Sequence, residues 1–343
     1  MSIRFPATSF PRGWFQVGFS SDLAPGEMKP LEYFSKMLVM WRGESGQVFV
    51  QDAFCLHLGA HRGIRGSVTG DDLACPWHGW QWNGEGRNTC IPYSKEGCKP
   101  KLQIETFTAL EWCGLIMIWH DWAGGPPTWV PPVVPEYGDP NFYPMHPCSD
   151  RVHRVRAHPQ MPIENAVDPA HIPYIHGAAE TPRVLRFVTD GHHCRSDVEV
   201  LYGGGKGDTA ITPEGGQRAV VQMNCYGIGL SVIRWDESLL PTVQITCFTP
   251  VDDQHIDYYF MQTSMRTPGD TGDEPTGPAL KMLKVQWKVI EQDFFTWENM
   301  TYLQTPNFAV EEAQHYAAMR RWATRFYPED EGAGMVPLEA VEG

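Results

Sequence analysis

The sequence is short of positive charge, of long apolar runs and of any paired-cysteine framework. Lys and Arg number 27 against 41 Asp and Glu, a formal charge of −14. A field of that sign repels phosphate backbones, so nucleic acid is not an expected partner. The most apolar internal stretch, residues 113–119, is far shorter than the roughly 20 residues that cross a bilayer, and the opening MSIRFPATSFPRGW has no apolar leader core. No membrane partner and a cytoplasmic location are therefore expected. Nine cysteines, odd in number and scattered, do not make the scaffold of a stapled secreted domain. No G-x-G-x-x-G opens a helix, and the Gly-Gly-Gly-Lys-Gly string at 203–207 lacks the Ser or Thr of a P-loop, so no nucleotide site is expected.

What is present fits two globular domains: 343 residues, 42% hydrophobic, with 13 Trp and 14 Met. Residues 1–122 carry 11 basic and 12 acidic side chains, and residues 123–343 carry 16 and 29. Between the two regions the Pro- and Gly-rich run 123–140 has the composition of a connector, which places one domain at 1–122 and another at 141–343. Short alternating segments at 37–41, 47–53 and 115–120 predict a small all-β first domain with long loops. Segments at 151–158, 196–202, 218–226, 230–235, 242–249 and 256–264 predict one antiparallel sheet, followed by helices over 278–303 and 310–326. Strands followed by helices argue for an α+β fold.

The chemistry begins in the first domain with Cys55-Leu56-His57, seventeen residues, then Cys75-Pro76-Trp77-His78-Gly79-Trp80. Two thiolates and two imidazoles could hold tetrahedral zinc or a [2Fe-2S] cluster with Cys on one iron and His on the other. Each clip here supplies one Cys and one His, whereas mixed zinc motifs pair like with like, and this favours the cluster. The pattern resembles the Rieske iron-sulfur domain. Cys55 and Cys75 then hold one iron and His57 and His78 the other. His61, Cys90, Cys98 and Cys113 lie off the pattern and are read as ordinary loop or packing residues.

In the second domain, Asp168-x2-His171-x4-His176 offers two more imidazoles. Histidines five apart point about 140° away from each other on an ideal helix, so they share a metal only where the helix loosens, for which Pro173 gives a reason. A Rieske motif followed by this string resembles the oxygenase component of Rieske non-haem iron oxygenases, across about residues 10–328. Within that family it looks like the 3-ketosteroid 9α-hydroxylase branch, through the Trp-Phe-Gln-Val-Gly-Phe start, the Cys-Pro-Trp-His-Gly-Trp-Gln-Trp turn and the Ile-Pro-Tyr segment. The resemblance implies a helix-grip catalytic domain and a mononuclear Fe(II) held by two His and one carboxylate, with positions open for O2. His171 and His176 match the imidazoles. Asp293 is the expected carboxylate, placed on an inward helix face between Ile290 and Trp297 and in a Glu-Gln-Asp string like that branch's; Glu291 and Glu298 are its neighbours in competition.

The resemblance further implies that Asp168 joins the iron ligand His171 to His78 of a neighbouring subunit, which makes the protein a head-to-tail homotrimer. Asn165 matches an Asn near the iron, with a cap or turn as the alternative. Electrons, drawn from NAD(P)H, would come through a separate flavin or iron-sulfur reductase, with or without a ferredoxin. Arg62, Arg65, Lys95, Lys99 and Lys101 beside the cluster loops could meet an acidic partner, with a plain solvated loop surface as the even alternative. Met161, Val167, Tyr174, Trp287, Phe294 and Phe295 are expected around an apolar substrate of some size, with a steroid as the implied case and plain core as the equal alternative for most of them. His192 and His193 read as a surface pair near the pocket entrance. The expected activity is a monooxygenase that hydroxylates such a substrate. Oxidative O- or N-demethylation of a methylated aromatic or amine is the alternative within the class. A Rieske electron carrier without oxygenase activity, or a zinc-stabilised interaction module, is the alternative outside it.

Overall fold

The computed structural model describes residues 9–147, 151–202, 216–235, 240–303 and 306–329. The first eight residues and the 203–207 glycine string lie outside them. The chain packs as two compact units, residues 14–128 and residues 129–329 with the leading segment 9–13. The division falls within the Pro- and Gly-rich run, and residues 9–13 belong to the second unit, where the Arg12 N–H donates to Phe326 O.

The first unit is all β. Gly13–Phe19, Leu115–His120 and Ala109–Trp112 form one sheet; Met28–Tyr33, Lys36–Arg42, Val48–Asp52 and Thr106–Phe107 form a second; Ser67–Thr69, Asp72–Ala74, Gln81–Trp82 and Asn88–Cys90 form a third. Val39, Trp41 and Leu73 make one small core and Cys55, Cys75, Trp80, Trp82, Ile91 and Ile104 another. The loops that carry Cys55 to His57 and Cys75 to His78 leave from the edges of these cores.

The second unit is built on one antiparallel sheet. Its hairpins run through β1 (Arg183–Asp190), β2 (His193–Tyr202), β3 (Gln217–Tyr226), β4 (Leu230–Trp235), β5 (Thr242–Pro250) and β6 (Ile256–Ser264), each paired with the next. His146–Pro147 and His153–Val155 add to β6 on its far side. Strand β1 is absent from the sequence expectation because its burial hardly alternates, leaving no period-2 signal. Ahead of β1 come α1 (Gln160–Glu164), a 3-10 turn over Asn165–Val167, and α2 (Ile172–Ile175); after β6 come α3 (Gly277–Asn299) and α4 (Val310–Ala323). Pro278 in the first turn of α3 carries no N–H that the helix needs. Helix α3 ends at Asn299, four residues before the expected limit, where Met300 turns extended.

Strands β5 and β6 are buried along their whole length, and Phe248, Tyr258 and Phe260 share a core with Trp287, Phe294 and Trp297 of α3. Helix α4 braces the segment before β1. Arg320 grips Glu164 with two bonds of 3.0 and 3.1 Å, and one turn earlier Tyr316 donates its hydroxyl to Asp168. Residues i and i+4 of one helix thus hold residues four apart on the segment that carries His171.

Candidate metal centres and substrate cavity

The two clips of the first unit share one backbone design. In each, the Cys N–H donates to the carbonyl five residues on, Ala60 for Cys55 and Trp80 for Cys75. In each, a glycine four residues on, Gly59 or Gly79, donates back to the Cys carbonyl. Both glycines sit at positive φ, 74° and 69°, where a β-carbon is strained, which is why each clip needs glycine there. The loops face each other, so that the His57 and His78 rings lie 4.6 Å apart and the two buried thiols are neighbours. Burial pushes the Cys55 thiol up, and Cys75 beside it adds to the shift. His57 stacks on the Trp80 indole at 4.5 Å, and that indole N–H donates to Tyr93 Oη at 2.8 Å. Two adjacent thiols on the inside and two half-exposed imidazoles on the outside suit a [2Fe-2S] cluster with unlike iron ligands.

Of the cations expected to face a partner, Arg65, Lys95, Lys99 and Lys101 are exposed, but Arg62 is not. It is fully buried and donates to Gln51 Oε1 at 2.9 Å and Asp52 O at 2.6 Å. Burial pulls its guanidinium down to about 10, against the opposing pull of Cys55 and Asp52. Its role is to hold the loop from inside. Cys98 is exposed rather than packed.

In the second unit His171, His176 and Asp293 offer ligand atoms within 4.8 Å of one another. Asp293 Oδ1 lies 3.2 Å from His176 Nε2 and 3.9 Å from His171 Nε2, close enough for one ion to touch all three at about 2 Å. The imidazoles do not converge through a loosened helix. His171 precedes α2 and His176 follows it, and Pro173 starts the helix rather than distorting it. Asp168 is not on a shared helical face either; its backbone is non-helical, at φ −111° and ψ 77°. From there its Oδ1 accepts the His171 backbone N–H and its Oδ2 lies 3.3 Å from His171 Nδ1. Burial pulls the His171 imidazole down, but Asp168 and Asp293 more than offset this and leave it above its ordinary value.

Each donor is also held from behind. Gln292 Oε1 accepts a hydrogen bond from His176 Nδ1 at 3.0 Å, which leaves Nε2 to face Asp293. The Asn165 amide donates to Asp293 Oδ2 at 3.1 Å, turning Oδ1 toward the imidazoles. Asp293 is buried while Glu291 and Glu298 are exposed. Gln292, Tyr316, Glu164 and Arg320 are additions to the sequence reading. Only Gln292 left a trace there, as the residue before the carboxylate.

His171, His176 and Asp293 line a large cavity, about 1360 Å³ of empty space with its open mouth included. Its walls are Val198, Val221, Met223, Ile233, Phe248 and their neighbours on the sheet, with Val289, Ile290 and Trp297 on α3. Among the described residues no Lys, Arg or Glu lines it, and the ligands are its only acid and imidazoles. None of the six residues expected around the substrate does so. Met161, Val167, Trp287 and Phe294 are core, and Tyr174 and Phe295 are exposed at 87% and 74%. The sheet walls were missed because inward-facing strand residues look the same in sequence whether they pack on a helix or border a void. His192 stacks on Trp129, and His193 Nε2 pairs with Asn224; neither lines the cavity.

No helix among the described residues is long and apolar enough to cross a membrane. Residues 13–108 match the Rieske [2Fe-2S] domain and residues 118–327 the 3-Ketosteroid 9alpha-hydroxylase C-terminal domain. A 3-ketosteroid-9-alpha-monooxygenase oxygenase component of Rhodococcus rhodochrous is 30% identical over 93% of this chain and 82% of its own. A cholesterol 7-desaturase of Hemicentrotus pulcherrimus is 26% identical over 94% of this chain and 70% of its own. Among solved structures, dicamba monooxygenase bound to dicamba has a TM-score of 0.70 at 16% identity, covering 95% of this chain and 98% of that one. Pseudomonas putida CBB5 NdmA with caffeine has 0.72 at 16%, covering 94% of each. At that identity the likeness speaks to the fold.

Proposed function

This chain belongs to the Rieske oxygenases with a 3-ketosteroid 9alpha-hydroxylase C-terminal domain, as the oxygenase component of a monooxygenase, and on that premise we propose that it hydroxylates an uncharged, apolar molecule of steroid size. The observation that carries this reading is the meeting of His171, His176 and Asp293 at one end of a cavity without a fixed charge of its own. A sugar would leave many hydroxyls without partners there, and a carboxylated aromatic would find no cation.

When bound, the [2Fe-2S] cluster supplies single electrons and the ferrous ion supplies the place where O2 is reduced. Cys55, Cys75, His57 and His78 would hold the first, and His171, His176 and Asp293 the second. The chain's other residues hold and orient: Gln292 fixes the His176 tautomer, Asn165 the carboxylate and Asp168 the His171 ring. The apolar walls keep the substrate in and bulk water out. The reading includes a separate NAD(P)H-dependent flavin or iron-sulfur reductase, with or without a ferredoxin. It also includes a homotrimer in which His78 of one chain approaches Asp168 of the next; the half-exposure of both side chains supports that part. Asp168, in contact with His171, then links the two centres.

Product analysis against a panel of steroids and methoxylated aromatics, with a surrogate reductase, is the test. Hydroxysteroid is the expected product, formaldehyde from a methoxyl group would transfer the reading to demethylation, and turnover of neither class would defeat it. Iron counting accompanies it, with about three irons per chain expected for an oxygenase and about two for a carrier.

A further inference from the structure

The cavity is apolar near the ligands but not at its far end. Helix α3 lines it with Gln286, Val289, Ile290, Asp293 and Trp297, which share one helical face. Gln286 precedes Asp293 by two turns, about 10 Å along the axis. On the sheet, Phe248 pairs with Tyr258, Thr246 with Phe260, and Gln244 with Gln262. Ring contacts align these rows with the helix: Tyr258 packs on Phe294 and Trp297 at 5.3 and 6.1 Å, and Phe260 on Trp287 at 6.1 Å. The Phe248 row is therefore level with the ligand end. The Thr246 row lies about 7 Å further along and the Gln244 row about 13 Å, at the strand rise.

Thr246, Gln244 and Gln286 thus gather away from the metal ligands, and they are 2%, 2% and 5% exposed. Thr246 lines the cavity, and its hydroxyl makes no hydrogen bond among the described residues. Gln244 gives one amide proton to Gln262 Oε1 at 3.1 Å, which leaves its other N–H and its Oε1. By contrast the hydroxyl of Ser231, opposite Thr246 on β4, is engaged with Cys225 Sγ at 3.3 Å. A hydroxyl without a protein partner on the wall of an open cavity is available to a ligand or to water there.

We propose that Thr246, with Gln244 and Gln286, binds a single uncharged carbonyl or hydroxyl oxygen at one end of an otherwise apolar substrate, and that this contact decides which carbon lies over the metal ligands. The proposal rests on the reading of this cavity as the substrate site and adds the class of polar group it takes. The Thr246 hydroxyl and the Gln244 amide donate and accept alike, so a ketone and an alcohol both satisfy them, while Gln286, whose amide gives a proton to Met282 Sδ at 3.8 Å, borders the pair. A carboxylate is excluded because nothing in the lining would neutralise it.

Three probes with one skeleton test it: 5α-androstan-3-one, 5α-androstan-3β-ol and the parent 5α-androstane. Their affinity for the fully metallated, anaerobic protein is read from quenching of Trp fluorescence, since Trp235 and Trp297 border the cavity. Ketone and alcohol are expected to bind about tenfold more tightly than the hydrocarbon. Thr246→Val should remove that advantage and leave hydrocarbon binding unchanged, Thr246→Ser should restore it, and the valine variant should oxidise the ketone at more positions. Equal affinities for the three probes, or an equal loss of all three in Thr246→Val, would overturn the anchor. Ile233→Trp, which fills the apolar middle of the cavity, separates the two ideas. Loss of all three probes with an intact visible spectrum supports the cavity as the binding place, and full retention of all three would overturn that reading itself.

Discussion

The two centres are assembled by opposite strategies. In the first unit the four ligands come from two loops joined by one stretch of chain, and each loop closes on its own backbone hydrogen bonds. In the second, the imidazoles and the carboxylate come from distant parts of the chain, with Asn165 and the Asp293 it holds 128 positions apart. The first site depends on local turns and can be read from spacing. The second depends on the sheet, on α3 and on the brace from α4, so damage far from the ligands should reach it and spare the first.

The largest effects come from removing ligands, and they should separate the two centres completely. His171→Ala or Asp293→Ala should abolish product and lower iron from about three to about two per chain, with the visible spectrum of the cluster kept. Cys75→Ser should lose that spectrum. Unchanged turnover in both of the first two variants would remove the assignment of the triad.

Next comes the brace. Arg320→Leu takes the ion-pair partner from the largely buried Glu164, leaving it the Gln160 amide, and its expected cost is about 3 kcal/mol in chemical denaturation of the second unit. The cluster spectrum should persist through that loss; a fall of both signals together would mean that the two units are not independent in stability. Smaller still is Asn165→Ala, which frees Asp293 Oδ2 and should weaken ferrous ion binding by about tenfold, measured by competition with a chelator.

The smallest effect is one of pH. Asp270 accepts hydrogen bonds from Thr276, Tyr143 and the Gly272 N–H, and they hold its carboxyl down to about 2. A folded value below the unfolded one gives stability that is complete above about pH 4 and lost as pH falls through 2. Acid titration of helicity should therefore be steeper in the native protein than in Asp270→Asn over that window, with no difference near neutrality.

The contrast also explains what could be read beforehand. The Cys-x-His and Cys-x2-His clips were legible because a local loop imposes residue types at fixed offsets. Strands β4 to β6 were legible because their apolar runs are bounded by turns, and Asp293 stood out as an acid on an apolar helix face. The cavity walls were not legible, since Val221 or Ile233 reads as core whichever surface it meets. Arg62 misled because burial of a cation follows from partners such as Gln51, which no local pattern announces. Pro173 misled for another reason. A proline between two histidines suggests a bent helix, whereas the chain breaks into short pieces and uses the proline to begin one.

The spread of the second ligand set has a thermodynamic side. An ion that touches His171, His176 and Asp293 links α3 to the segment that precedes β1, and the unfolded chain has no comparable site. By mass action, each tenfold rise in free ferrous ion above its dissociation constant adds about 1.4 kcal/mol to the second unit. Its melting temperature should therefore report the iron supply of its surroundings.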